Sequence, residues 1–439
     1  MRAGRFRCAL SYIASPDALE TKTIVCREVE TCLILILAIL CVSLFITTSA
    51  RGMPMFARKY GVPCSTCHTT APRLNETGYR FRAAGFRMPE ELGRKSEETF
   101  DVLDYLSARV QFRTGATRSQ VASLTTTQHE TLIQALELYL FTGAWGTHFS
   151  SDIKVTFAPV SSPPVAIENL YGKFDVGSPR RFFSGRVGFF HPYDGYGAAD
   201  NPATISRPFF QTTPANFNQS TFFQTWGFDE GGAEIGFDSR HTSIRAAVLS
   251  GLAINKDGEK FSATAGVLAK PSAGPTYGAP DFQLFVNHVL NPEGGGLAFH
   301  YYHGKLALPI TGTPNFFRND FDRVAIYASY PVLKRLQLFG AYQYGRDHTS
   351  SQTTFSSAGA FAEAAIPIKK MTTAGIRYDW YDPARPKANN EMHGVTAYLN
   401  AWFFSQLRVV AEYQRKTTRH ASAPSQTDDA FQVRLIYIK

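Results

Sequence analysis

The sequence predicts a mainly β fold: an antiparallel transmembrane β-barrel of about 16 strands that follows a small N-terminal helical segment. Three observations predict this fold. Short segments with alternating polar and apolar residues recur from about residue 105 to the end of the chain. Charged residues alternate into otherwise apolar segments. Aromatic residues make up 13% of the chain, as girdles at the two membrane interfaces would require.

The alternation is clear in two segments. "LQLFGAYQYG" places Tyr342 and its apolar neighbours on one face and Gln343 on the other, and "GIRYDWYD" alternates Ile376 with Arg377 and Asp379. A soluble β-sandwich would bury its apolar faces in a shared core, whereas a membrane barrel turns them towards lipid and keeps polar residues in the lumen. The charges inside these strands favour the barrel.

The strand count follows from the same pattern. About 17 candidate strands lie between Leu106 and Ile438, and because single-chain bacterial barrels have even strand numbers we predict 16. The stretch from His191 to Gln219 is rich in Pro, Gly and Asn and predicts a long loop that either caps the barrel or folds inward. "NPEGGG" predicts a tight turn. Lys439 ends the chain where bacterial barrels usually place an aromatic residue.

Residues 1–50 predict an export leader that is not part of the working fold. Cys32–Ile46 is an uncharged apolar run, and the small or hydroxyl residues after it end at Ala50, as a signal-peptidase site requires. The run is shorter than the roughly 20 residues of a membrane-spanning helix, although an inner-membrane anchor is the alternative. Cleavage leaves only two cysteines, Cys64 and Cys67. The leader holds the other four: Cys8, Cys26, Cys32 and Cys41.

The motif that carries chemistry is "GVPCSTCHT", in which Cys64, Cys67 and His68 match the attachment signature of a c-type haem. Two thiols three residues apart can bond to the two vinyl groups of one porphyrin, and the next imidazole is then held beside the iron. The alternatives are a thioredoxin-like pair, a structural disulfide and half of a zinc site. The first usually accompanies a βαβ pattern and the last needs further ligands, and neither is visible.

We assign residues 51–100 to the haem segment, with its centre at about Gly52 to Gly93, and residues 101–439 to the barrel. "TAPRLNETGYRFRAAGF" predicts a short helix with Pro72 in its first turn, whose Gly78 and Gly85 would let the backbone approach a flat ring. Four arginines in this segment have two equally good interpretations: they pair with the haem propionates, or they form a solvated basic face. These arginines are Arg73, Arg80, Arg82 and Arg87.

The sequence offers several candidates for the sixth ligand of the iron. Met88 is the best thioether candidate, and His/Met ligation would raise the reduction potential of the haem. Met53 and Met55 are weaker candidates. His300 is a further candidate because its place in an alternating segment points it into the lumen.

The segment "MPMFARKYGVPCSTCHTTAPRLNETGYRFRAAGFRMP" resembles the N-terminal part of the fused monohaem cytochrome–porins, which include the outer-membrane Fe(II)-oxidising cytochromes of iron-oxidising bacteria. The matching features are Phe56-Ala57-Arg58, the Cys64, Cys67 and His68 motif, and the positions that follow it. The resemblance implies one covalent haem c in a barrel of the outer membrane. It also implies an extracellular electron donor, with Fe(II) as one candidate, and a periplasmic electron carrier as partners.

The sequence thus leads to three hypotheses. The first is an outer-membrane electron conduit, the second is a solute channel whose haem segment is a plug or gate, and the third is a haem enzyme such as a peroxidase. No distal residues for peroxide chemistry can be named, and whether the protein is an enzyme stays open. The net charge of +9 is modest for 439 residues and argues against a nucleic-acid partner.

Overall fold

The computed structural model describes fifteen stretches of the chain. They are residues 54–70, 72–93, 101–159, 165–191, 203–213, 215–218, 221–223, 230–249, 280–309, 316–333, 336–349, 354–369, 372–403, 406–420 and 422–439. The predicted leader, its four cysteines and Met53 lie outside these residues. Among the described residues, no helix is long and apolar enough to cross a membrane.

A closed antiparallel β-barrel of sixteen strands forms most of the molecule and confirms the predicted fold class and strand number. Each barrel strand pairs with the next barrel strand along the chain, and the last closes the ring against the first. The barrel strands are β3 (Leu106–Val121), β4 (Leu124–Trp145), β5 (Phe149–Phe157), β6 (Val165–Ser178), β7 (Arg181–Phe190), β10 (Glu230–Ser239), β11 (Thr242–Leu249), β12 (Asp281–Val289), β13 (Gly296–Pro309), β14 (Phe316–Leu333), β15 (Leu336–Thr349), β16 (Thr354–Lys369), β17 (Thr372–Asp382), β18 (Met392–Phe403), β19 (Leu407–Thr418) and β20 (Gln426–Ile438).

The wall of the barrel follows the predicted alternation. Arg377 and Asp379 are buried in the lumen and form an ion pair. Their neighbours Ile376 and Tyr378 are about half exposed on the outer surface. Large apolar side chains are exposed in the same way around the ring, including Val187 at 66% and Ile235 at 70%. An exposed belt of this extent is stable only against lipid, so the barrel is of the outer-membrane type.

The two ends of the barrel differ. Tight turns join the strands at the end where the barrel begins and ends, and there Ala108 and Lys439 exchange backbone hydrogen bonds of 2.9 Å. The predicted "NPEGGG" turn joins β12 to β13 at this end. The longer connections lie at the other end. Bacterial barrels have short periplasmic turns and longer extracellular loops, so the short-turn end corresponds to the periplasmic end.

A small N-terminal unit, residues 54–93, lies against the short-turn end, and we call it the plug. Its regular elements are helix α1 (Pro54–Tyr60), a 3-10 turn (Cys64–Thr66), strands β1 (His68–Thr70) and β2 (Arg73–Leu74), helix α2 (Glu76–Ala83) and a second 3-10 turn (Pro89–Glu91). The rings of Phe56, Tyr60, Phe81 and Phe86 form its own small core, with centroids 5.0 to 6.2 Å apart.

The helix of the plug begins later than the sequence predicted. Pro72 is not in its first turn but in the link between β1 and β2, and α2 starts at Glu76. Asn75 is the N-cap, because its side-chain oxygen accepts a hydrogen bond from the backbone N–H of Gly78 at 2.9 Å. The capping residue outweighed the usual preference of proline for the first helical turn.

The predicted long loop folds inward in its described central part. Residues 203–213, which include the short helix α3 (Phe209–Thr212), lie inside the lumen with most of their side chains buried, and we call them the inward segment. The connection leaves β7, yet the segment contacts Arg377 on β17, which lies opposite β7 in the ring of sixteen. A two-stranded hairpin follows it, β8 (Ala215–Asn218) and β9 (Thr221–Phe223).

Candidate functional site

The two thiols of the motif lie on one turn of 3-10 helix. The N–H of Cys67 donates to the carbonyl of Cys64 at 3.2 Å, and neither cysteine is in a disulfide. Burial is the larger of two causes that raise the pKa of the Cys67 thiol to about 11, and the nearby thiol of Cys64 is the smaller. The Cys67 sulfur is therefore a neutral thiol near pH 7 and lies close to the thiol of Cys64.

His68 follows on β1 and is oriented by the backbone of the plug. Its Nδ1 lies 3.1 Å from the carbonyl oxygen of Pro72, and because a carbonyl can only accept, Nδ1 must carry the hydrogen. Nε2 then has a free lone pair, as a metal-ligating imidazole requires. Burial lowers the pKa of His68, although its backbone hydrogen bonds oppose this, so the ring is neutral near pH 7.

Helix α2 packs directly on the motif. The backbone N–H of Asn75 donates to the carbonyl of Cys67 at 3.0 Å, and its side-chain amide donates to the carbonyl of Thr66 at 3.0 Å. A Cβ at Gly78 would lie 2.1 Å from that same Cys67 oxygen, so only glycine fits there. Gly85 has φ +65° and faces Ser150 on the barrel wall. Gly78 thus lets α2 approach the cysteine turn, and Gly85 lets the plug approach the barrel wall.

The predicted propionate partners lie in two different settings. Arg73 and Arg87 are held by the barrel: Arg73 pairs with Glu363, and Arg87 donates to the carbonyl of Gly146 at 2.8 Å. Arg80 donates to the carbonyl of Pro179, and Arg80 and Arg82 both line a cavity that is partly open to solvent. The cavity lies between α2 and strands β10 to β12 and is also lined by Tyr79, Arg245 and Phe285.

The sixth-ligand candidates are spread over the end of the barrel. Met88 is partly buried and precedes the second 3-10 turn, and its neighbour Arg87 is bound to the β4–β5 turn. Thr69, the neighbour of His68, is bound to the β12–β13 turn, six strands away around the ring. Met55 is fully buried in α1. The sixth ligand stays a prediction.

His300 occupies the lumen, as its position in the alternating pattern predicted. Its side chain is 1% exposed, and its ring meets the edge of Phe285 at a centroid distance of 5.9 Å. Phe285 lines the cavity beside the plug. No group of three or more His, Cys, Asp and Glu side chains in the described stretches could hold a metal ion, so a zinc site at the motif finds no further ligands there.

The lumen above the plug is narrowed by the inward segment, a feature that the sequence left open between two alternatives. Arg377 donates to the hydroxyl of Thr204 at 2.8 Å, and Glu412 accepts from the backbone N–H groups of Ile205 at 2.6 Å and Ser206 at 3.1 Å. Phe210 is fully buried and stacks on Phe361 of β16 at 6.0 Å. Charged wall residues therefore hold this segment in place.

Cys64, Cys67 and His68 lie at the short-turn end, where the neighbouring Thr69 donates a hydrogen bond to the carbonyl of Glu293 in the β12–β13 turn. The plug lies at that end because its binding partners are the tight turns, through contacts such as the N–H of Glu76 on the carbonyl of Pro292 at 3.1 Å.

Comparisons with known proteins give likenesses of fold. No protein-family model and no curated protein matches the chain. The anion-selective porin from Comamonas acidovorans is similar at 11% identity and a TM-score of 0.48, over 76% of this chain and 99% of that one. The outer membrane channel DcaP of Acinetobacter baumannii has 11% identity and a TM-score of 0.49, over 79% and 100%. OprB of Pseudomonas putida has 10% identity and a TM-score of 0.49, over 77% and 95%.

Proposed function

We propose that this chain is an outer-membrane electron-transfer protein that carries one covalent haem c in its plug. Cys64 and Cys67 would form the two thioether bonds, and His68 would be the first axial ligand. The observation that supports the proposal best is the hydrogen bond from His68 Nδ1 to the carbonyl of Pro72, since it leaves Nε2 as the unprotonated nitrogen of a histidine that directly follows two free cysteines on one turn. The haem, when bound, supplies one-electron redox chemistry.

The protein's own contribution would be position and access. The plug is held by the tight turns of the barrel through Glu76, Arg80 and Arg87, so the motif stays at the periplasmic end. An electron carrier of the periplasm can approach this end from outside the barrel. An extracellular donor has to enter the lumen, which favours a small donor such as Fe(II) over an insoluble one.

A second candidate is a solute channel for which the plug is a structural gate. The closed barrel taken by itself favours this candidate, because barrels of this size with a polar inner wall are commonly channels. The inner wall carries charged pairs such as Arg323 with Asp347 and Arg377 with Asp379. Two results together would favour the channel: a conductance in planar bilayers like that of an open porin, and a haem that does not react with redox partners.

The proposal is tested with the purified protein in lipid vesicles, oriented with the long-loop end outward. We expect Fe(II) added outside to reduce the haem, as followed by its visible absorption bands. The Cys64→Ser/Cys67→Ser variant is the control and should hold no covalent haem. A wild-type haem that stays oxidised under these conditions would refute electron transfer from outside.

A further inference from the structure

A chain of contacts connects the barrel wall to the imidazole of His68. The ring donates through Nδ1 to the carbonyl of Pro72 at 3.1 Å, and Arg73 is the next residue in the chain. Strands β1 and β2 pair His68 with Leu74 and Thr70 with Arg73. Because the accepting carbonyl and the backbone of Arg73 share one peptide unit, any force on Arg73 acts on the acceptor that orients the ring.

The side chain of Arg73 leaves the plug and is held by the barrel on three sides. It forms an ion pair with Glu363 of β16, with the two side chains 19% and 6% exposed. Its Nη1 lies 3.4 Å from Oε1 of Gln337, and its guanidinium carbon lies 5.3 Å from the ring centroid of Phe339. A partly buried arginine with these contacts has little freedom to move.

The wall residues that hold Arg73 are themselves fixed. Glu363 also accepts a hydrogen bond from the hydroxyl of Tyr398 on β18. Phe339 packs edge-on against Phe361 at a centroid distance of 5.0 Å, and Phe361 in turn stacks on Phe210 of the inward segment at 6.0 Å. The position of Arg73 is therefore set by barrel strands and not by the plug alone.

We propose that Arg73 is a positioning residue through which the barrel orients the His68 ligand and sets the electrostatic field at the haem. This inference rests on the proposed function. The hydrogen-bond partner of a ligating imidazole fixes its orientation and tunes its basicity. Charge and burial near a haem also tune its reduction potential. Glu363 and Phe339 act through Arg73 and share the role.

The sign of the charge separates this role from simple adhesion between plug and barrel. Ferric haem carries one more positive charge than ferrous haem, so loss of a nearby cation stabilises the ferric form and lowers the reduction potential. Arg73→Gln should therefore lower the potential, and Glu363→Gln should raise it, because Arg73 is then no longer neutralised. If Arg73 only attached the plug, both variants would loosen the same contact and would move the potential in the same direction or leave it unchanged.

The experiment is a potentiometric titration of the full-length haem-loaded protein in detergent, with covalent haem content checked for each variant. Phe339→Leu keeps both charges and removes the aromatic face, and it should change the ligand-sensitive spectrum of the haem. Lys416→Gln and Asp428→Asn are matched controls, since this ion pair lies two residues from the long-loop ends of β19 and β20, away from the plug, and should leave the potential unchanged.

Opposite shifts for Arg73→Gln and Glu363→Gln, with unshifted controls, would support the inference. Shifts in the same direction, or no shift, in a fully haem-loaded protein would overturn it while leaving the proposed function intact. A wild-type protein without covalent haem would refute the proposed function, and this inference would fail with it.

Discussion

Asn75 connects the cysteine turn to helix α2, and its substitution should loosen the plug by a predictable amount. Its side-chain oxygen accepts from the N–H of Gly78 at 2.9 Å, and its side-chain amide donates to the carbonyl of Thr66 at 3.0 Å. Loss of an N-cap costs about 1 kcal/mol, and loss of a further hydrogen bond costs about 1 kcal/mol. Asn75→Ala should therefore reduce the free energy of opening the plug by about 2 kcal/mol.

A matched variant separates the two contributions. Asn75→Asp keeps an oxygen that can cap the helix but removes the donor to Thr66, so it should lose only about 1 kcal/mol. The backbone hydrogen bond from Asn75 to Cys67 is unchanged in both variants. Because each 1.4 kcal/mol is a factor of ten, amides of α2 should exchange about 25 times faster in the alanine variant and about 5 times faster in the aspartate variant.

The assay is hydrogen exchange read by mass spectrometry on peptides that cover residues 73–83, in detergent micelles. Peptides from the far strands of the barrel serve as the internal reference and should not change. Equal acceleration in the two variants would refute the reasoning, because it would show that the cap on the N–H of Gly78, which only the alanine variant loses, does not contribute to stability. An aspartate variant that exchanges like the wild type would show that the bond to Thr66 does not contribute, and no acceleration in either variant would show that both bonds are dispensable.

Three further predictions follow from single contacts. Gly78→Ala should displace α2 from the Cys67 carbonyl at a cost of about 1 to 3 kcal/mol. Faster proteolysis of the plug would detect this loss of stability, and cleavage at the wild-type rate would contradict the prediction. Glu412→Gln should speed amide exchange of the inward segment, since two N–H groups lose a charged acceptor; unchanged exchange would show that other contacts hold the segment. Burial raises the pKa of Tyr79 from 10.0 to about 12, so the docked plug favours the protonated phenol, and its stability should fall as pH rises from about 10 to 12. Protease sensitivity against pH tests this, and Tyr79→Phe should remove that part of the alkaline loss.

The barrel could be predicted from the sequence because its signal is local. Strands with lipid on one side and a polar lumen on the other must alternate residue by residue, so the inward Arg377 and the outward Ile376 could be assigned without any knowledge of their partners. The strand number followed from the same rhythm and the requirement for an even count. The motif of Cys64, Cys67 and His68 is equally local, since its spacing is its signature.

The features that the sequence did not predict depend on contacts between distant residues. Arg73 lies 290 positions from its partner Glu363, and no spacing rule connects them. The inward segment leaves β7 but is held by Arg377 and Glu412. These two residues come within its reach only after the barrel closes. The late start of α2 was readable in principle, because Asn75 followed by Glu76 in the first turn is a helix-start signal that the nearby Pro72 obscured.

Covalent attachment of haem to Cys64 and Cys67 is the central claim, and the mass of the intact protein purified from outer membranes tests it most directly. The account predicts a polypeptide heavier by the mass of one haem, which keeps its colour after extraction with acid acetone, and a Cys64→Ser/Cys67→Ser variant that is colourless. A wild-type polypeptide of unmodified mass, with its two thiols free or joined to each other, would contradict it.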